Sequence, residues 1–235
     1  MNTKNTLQPL SGNQLKLLAL VTMTIDHIGM VLFPYQIIWR VIGRLAFPIF
    51  AYFIAEGCRY TGNRKKYLLT MTALAVICQL VYFFAMGSLY QCVLVTFSLA
   101  IVWIYALDGA VKQNTLRSWL VAGVVSTIII FLSVFLPRLL GGTDFDIDYG
   151  FWGILLPVLA YFPKSRGRKL AVFALVLFSL CLTIGGVQWF ALLALIPLAL
   201  YSGKRGKWRM KNLFYIYYPA HLVAIYGISV LIYYF

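Results

Sequence analysis

The chain has 235 residues, of which 62% are hydrophobic and only 11% charged, and its formal net charge is +14. That composition excludes an ordinary soluble domain and points to a protein that lives in a lipid bilayer. The positive charge does not imply nucleic acid, because the lysines and arginines fall in short clusters between apolar runs and form no basic face on a soluble domain.

Spanning a bilayer takes about 20 mostly apolar residues. With Gly, Pro and charge clusters as punctuation, nine spans are expected: Leu15 to Phe33, Ile37 to Gly57, Tyr67 to Met86, Leu89 to Leu107, Ser118 to Leu140, Tyr149 to Phe162, Leu170 to Ile184, Val187 to Tyr201 and Asn212 to Tyr234. The sixth to eighth are short, which sets a range of eight to ten. The expected fold class is therefore an all-α polytopic membrane helical bundle, a single domain over residues 1–235. Four cysteines, Cys58, Cys78, Cys92 and Cys181, lack metal-like spacing and read as small packing residues. The first apolar run has no A-x-A cleavage site and reads as a retained helix. Trp39, Trp152, Trp189 and Trp208 fall near predicted span ends, as interfacial anchors do.

Charge orients these spans independently of hydropathy. With Met1 inside, the inward loops hold Arg59, Arg64, Lys65 and Lys66, then Lys112 and Arg117, then Lys164 to Lys169, then Lys204 to Lys211. With Lys4 and Lys16, they gather 17 of the 20 basic residues. This asymmetry places the N-terminus in the cytoplasm and, for nine spans, the C-terminus outside. The acidic turn Thr143 to Tyr149 then faces outward.

Against this apolar background the ionisable groups within spans stand out, since each costs roughly 2.5 to 3.5 kcal/mol at mid-membrane on insertion scales. Asp26 and His27 lie in the first span, Arg40 and Arg44 in the second, and His221 in the last. At about 1.5 Å of rise per residue, His27 stands roughly 16 Å from Lys16 and about 10 Å from the turn at Pro34. Arg44 descends from that turn to a similar level, and His221 climbs about 14 Å from Asn212. His27, Arg44 and His221 should thus meet at one depth. Arg40 and Arg44, four apart, share a helix face. Asp26 and His27, adjacent in sequence, point about 100° apart, so the partner of Asp26 should be Arg40 or Arg44 rather than His27. Histidine can take and return a proton near neutral pH, which makes His27 and His221 candidates for acid–base work. Glu56, at the inner end of the second span, is expected to balance Arg59 or Arg64. No zinc motif, Walker loop, GxSxG elbow or dinucleotide fingerprint is present, and no metal is expected.

These residues resemble the TraX family, integral membrane proteins first known from conjugation systems, whose type member acetylates the N-terminus of pilin. The likeness rests on Thr24-Ile-Asp-His-Ile-Gly29, Arg40-Val-Ile-Gly-Arg-Leu-Ala-Phe-Pro-Ile-Phe50 running into Ala55-Glu-Gly57, Asp148-Tyr-Gly-Phe-Trp-Gly153, and Asn212-Leu-Phe-Tyr-Ile-Tyr-Tyr-Pro-Ala-His221. More faintly, Lys16 and His27 reproduce the spacing of a basic residue and a catalytic histidine in the first helix of the acyltransferase-3 group, with lysine in place of the usual arginine.

The resemblance implies a multi-pass enzyme of the bacterial cell (inner) membrane, with acetyl-CoA as donor and an envelope peptide or glycan as acceptor. The partners are then membrane lipids, the acyl-CoA and that acceptor, with no nucleic acid. His27, Asp26, Arg40, Arg44 and His221 would be catalytic. Lys16, Glu56, Arg59, Arg64, Lys65, Arg209 and Lys211 would hold the donor at the inner face, and Asp148, Tyr149 and Tyr218 the acceptor. A transporter or flippase using the same intramembrane His, Asp and Arg is the alternative, against which the absence of an evident inverted repeat counts.

Overall fold

Helix ends in this chain are set by short polar signals. Ser11 caps α1 (Gly12–Leu32) in a capping box with Gln14. Asn63 caps α4 (Arg64–Met86) by accepting from the Lys66 N–H, and Thr115 with Ser118 starts α6 (Leu116–Ile130). α5 (Val93–Gln113) stops at Asn114, in the left-handed region at φ 47°. The other elements are α2 (Ile37–Gly43), α3 (Ala46–Tyr60), a π turn (Phe131–Phe135) leading into α7 (Leu136–Leu139), α8 (Gly150–Tyr161), α9 (Arg166–Ile184), a 3-10 stretch (Gly186–Ala194) leading into α10 (Leu195–Ala199), and α11 (Lys211–Tyr234). The computed structural model describes residues 9–207 and 211–234, without the side chains of 85, 86, 211–215, 233 and 234. Among them the only β pairing is two isolated bridges, Leu10 with Tyr201 and Gln91 with Ile147.

Six helices among the described residues are long and apolar enough to cross a membrane: Gly12–Leu32, Ile37–Tyr60, Arg64–Phe84, Val93–Gln113, Leu116–Leu139 and Arg166–Ile184. Three shorter apolar helices, Gly150–Tyr161, Gly186–Ala199 and Ile216–Ile232, complete the nine expected segments. The protein is a helical membrane protein. Two of the predicted spans are interrupted within, and one is longer than expected. The second span is interrupted at Arg44 and Leu45, which join α2 to α3. Pro48 has no N–H for the Arg44 carbonyl four residues earlier and its ring crowds it, so the ladder breaks there. The fifth span likewise loosens into the π turn just ahead of Pro137. The seventh is not short: α9 begins at Arg166, because its first turn carries the cations that a hydropathy reading discards.

The chain groups into two compact units, residues 1–50 with 181–235, and residues 51–180. In the first, α1 packs on both α2 and α11. Its N-terminus is fixed by backbone pairing, since the N–H groups of Gly12 and Asn13 donate to the carbonyls of Lys204 and Arg205. In the second, α5 is central, more than half buried where α4 and the α6 to α7 segment are mostly exposed, and it packs on α4, α6 and α8. The outer faces of α4 and α6 present Val76, Leu80, Phe84, Leu120, Val124 and Ile128, as lipid-facing helices do. The four cysteines are buried free thiols, as a packing role requires.

Two loops of the second unit are latched together. The backbone of Gln91 exchanges hydrogen bonds with Asp146 and Asp148, and Asp144 accepts from Ser88 Oγ at 2.6 Å and from the Leu89 N–H at 3.0 Å. Those donors hold the Asp144 carboxyl below the usual carboxylate range. Tyr90 donates to Asp148 at 2.9 Å; burial, with the adjacent carboxylate, pushes the Tyr90 hydroxyl up and keeps it a donor.

Candidate functional site

The first unit collects every catalytic candidate. Asp26 and His27 sit two-thirds of the way along α1, and their divergence on the helix sends them to different neighbours: Asp26 to α2 and His27 to α11. Asp26 meets both arginines, with Arg40 Nη1 at 2.7 Å from Oδ2 and Arg44 Nη2 at 3.2 Å from Oδ1. Arg44 is further held by Gln188, whose Oε1 accepts from Nη1 at 3.2 Å, and by the Arg40 carbonyl at 3.4 Å from Nε. The Arg44 side chain is 11% exposed and that of Arg40 31% exposed, so Arg40 is the cation with a face left open.

Glycines let these helices approach. A Cβ on Gly43 would stand 2.1 Å from Asp26 Oδ1, and one on Gly29 2.1 Å from the Trp39 Cβ. In lipid, where apolar burial between helices gains little, such close backbone contact is a main source of helix association. Trp39 also stacks on Phe33 at 5.1 Å and donates to Gln36, at the turn between α1 and α2 where an interfacial anchor was expected.

On the α11 side, His27 and His221 face each other edge to face, ring centroids 4.9 Å apart, with His221 Nε2 3.3 Å from His27 Nδ1. Each Nδ1 also meets the carbonyl four residues back on its own helix, Met23 at 2.9 Å and Tyr217 at 3.0 Å. Tyr217 stacks on the His221 ring at 5.4 Å, and its hydroxyl reaches Thr24 Oγ1 at 2.7 Å. Tyr218 lies edge-on to His221 at 5.5 Å. Two imidazoles, one of them partly exposed, beside an arginine-rich ion cluster can move a proton and stabilise a developing negative charge. Among the described residues, no three His, Cys, Asp or Glu side chains come together as a metal site.

The remaining candidates are elsewhere. Lys16 is half-buried on α1, three turns before His27. Glu56 pairs with Lys169, which is 3% exposed and lies over the Tyr52 ring at 4.5 Å; the expected partners Arg59 and Arg64 are engaged otherwise. Arg59 donates to the carbonyls of Tyr161 and Pro163, and Arg64 binds Asp108 at 2.6 Å while lying over the Tyr105 ring. Sequence distance misjudged these partners because α9 and α5 supply them from more than 40 residues away. Lys65 is exposed and lines a shallow groove on α4 with Asn63, Lys66 and Thr70. Arg209 and the side chain of Lys211 lie outside the described residues. Asp148 and Tyr149 belong to the second unit, where Asp148 ties Tyr90, Gln91 and Thr96 together and Tyr149 takes a left-handed backbone, φ 62°, ahead of α8.

Gln188, Gly43, Thr24, Tyr217, Lys169 and Asp108 were not named as site residues from sequence. Asp108, an acid inside an apolar helix with Lys112 four residues on, carried a legible signal; Gln188, in a short apolar segment, carried a weak one.

The TraX family model matches residues 11–229, nearly the whole described chain. The protein belongs to the TraX family. This TraX-family chain is 25% identical over 250 residues to a protein of Dichelobacter nodosus named "Probable fimbrial assembly protein FimC, serogroup H1", covering 92% of this chain and 94% of that one. It is also 56% identical over 39 residues to "Uncharacterized protein RP591" of Rickettsia prowazekii, a match covering 17% of this chain and 16% of that one. No solved structure matches the chain.

Proposed function

We propose that this TraX-family protein is a membrane-embedded acyltransferase that moves an acetyl group from acetyl-CoA to an acceptor amine or hydroxyl of the cell envelope. The observation that carries the reading is the His27–His221 pair beside the Asp26–Arg40–Arg44 cluster, on helices from opposite ends of the chain. In the proposed reaction His27 takes the proton of the acceptor as its nitrogen or oxygen attacks the thioester carbonyl carbon. The oxyanion that forms is stabilised by Arg40, which has the more open guanidinium; collapse expels the coenzyme A thiolate, which takes the proton back from His27. Arg44, enclosed by Asp26 and Gln188, holds the cluster in register. The charged donor is made in the cytoplasm and cannot cross lipid, so its phosphates dock on the basic stretch Lys204 to Lys211, with Arg209 and Lys211 as the favoured contacts. The fimbrial-assembly name of the Dichelobacter relative supports a pilus subunit as acceptor, through its N-terminal amine.

The purified protein in phosphatidylcholine nanodiscs should gain thermal stability on addition of acetyl-CoA, since a ligand that binds only the folded state raises Tm by mass action. An unchanged Tm, together with solute flux through the protein in liposomes lacking acetyl-CoA, would overturn the reading in favour of transport.

A further inference from the structure

We infer that the two histidines form an asymmetric pair in which one nitrogen, His27 Nε2, takes the proton, and His221 is the positioning residue that directs it there. The role in turnover rests on the acyltransferase reading; the asymmetry itself rests on hydrogen bonding alone.

Backbone carbonyls only accept. With His27 Nδ1 2.9 Å from the Met23 oxygen and His221 Nδ1 3.0 Å from the Tyr217 oxygen, a bare lone pair on either nitrogen would face an oxygen lone pair. Each Nδ1 therefore carries the hydrogen, and each neutral ring keeps its lone pair on Nε2. The Nε2 lone pair of His221 lies 3.3 Å from His27 Nδ1, so the His27 Nδ1–H is shared between Met23 and His221. A further proton on His221 Nε2 would set two N–H groups against each other across that 3.3 Å. A proton on His27 Nε2 meets no such opposition and strengthens the Nδ1–H donor toward both its acceptors. His27 Nε2 has no hydrogen-bond partner among the described residues, and His27 is partly exposed while His221 is 6% exposed.

His221 is held in this role from two sides. Thr24 Oγ1 gives its hydrogen to the Leu20 carbonyl at 2.9 Å, so the Tyr217 hydroxyl must donate to Thr24, which fixes the ring stacked on His221. The charged groups near His27 are Asp26, Arg40 and Arg44, which close on one another; near His221 the titratable neighbours are His27, Tyr217 and Tyr218. In turnover the acceptor's proton passes to His27 Nε2, giving an imidazolium whose Nδ1–H bonds to His221, and then leaves on the thiolate. The arrangement resembles a base and its orienting partner, with a neutral imidazole as the partner.

The chain has two histidines, so histidine-specific 15N labelling of the whole protein, purified without a histidine tag into phosphatidylcholine nanodiscs, yields an NMR spectrum of these two rings alone. Both should be protonated at Nδ1 at neutral pH, although free histidine favours Nε2. On acidification the first imidazolium should be His27, assigned by the signals missing from His27→Gln or retained in His221→Gln. An Nε2–H form of either ring, or His221 charging first, would overturn the inference. For the positioning role, His221→Gln puts an acceptor oxygen where Nε2 stood and should keep acetyl transfer within about tenfold of wild type, whereas His221→Phe should lose about 100-fold or more. Equal losses in both variants would overturn that role. Nδ1–H tautomers without any acetyl transfer by wild type would leave the asymmetric pair standing and remove the acyltransferase reading instead.

Discussion

Both units set one carboxylate between two cations, and the difference between them separates a structural device from a chemical one. In the second unit Asp108 lies five residues from the end of α5 and meets Arg64 and Lys112, whose side chains are 39% and 63% exposed. Those cations reach water from helix ends, and the Glu56–Lys169 pair closes on itself. In the first unit Asp26 sits well inside α1, and its arginines are less exposed, Arg40 at 31% and Arg44 at 11%. Only there do histidines join the ion cluster. A charge near a helix end anchors a helix in its interface; a charge cluster inside a span, with titratable rings beside it, is costly enough to need a use.

The contrast breaks most visibly at the carboxylates. Asp26→Ala removes the carboxylate shared by Arg40 and the more enclosed Arg44 and should cost about 3–5 kcal/mol in thermal or denaturant unfolding in detergent. Asp108→Ala should cost about 1–2 kcal/mol, since Arg64 and Lys112 can turn to water. Equal losses would erase the distinction between the units. Next in size are the glycines. Gly43→Ala drives a methyl group into the Asp26 carboxylate and should cost about 1–3 kcal/mol. Gly57→Ala in the second unit meets the Tyr67 hydroxyl at 2.4 Å, the far end of a side chain that can swing aside, and should cost about 1 kcal/mol or less in the same assay.

The nine apolar segments and the meeting of the intramembrane ions were legible because both follow from helix rise and hydropathy, which act locally along the sequence. Arg40 and Arg44, four residues apart, had to share a face, and Asp26 had to turn from His27. What was not legible depended on contacts between distant segments. The break at Arg44 needed Pro48 to be weighed against a strongly apolar run, and the partner of Glu56 needed the packing of α9. Gln188 shows the limit: nothing in its own neighbourhood says that its amide oxygen holds Arg44.

The smallest effect concerns the loop latch. The folded pKa of Asp144 lies below its unfolded value, so its contribution is present at neutral pH and fades as pH falls below about 4, the ordinary carboxylate range. Hydrogen exchange in residues 87–92 should therefore gain an acid-dependent opening, beyond the intrinsic pH dependence, that Asp144→Asn lacks. The same acid response in both would remove Asp144 from the latch.

The proposed acetyl transfer depends most directly on His27. Mass spectrometry of envelope peptides and glycans from one host, carrying wild type or His27→Ala at equal membrane levels, should find an acetyl group added with wild type and lost, by 100-fold or more, with the variant. The same acetylation with both proteins, or none with either, would contradict it.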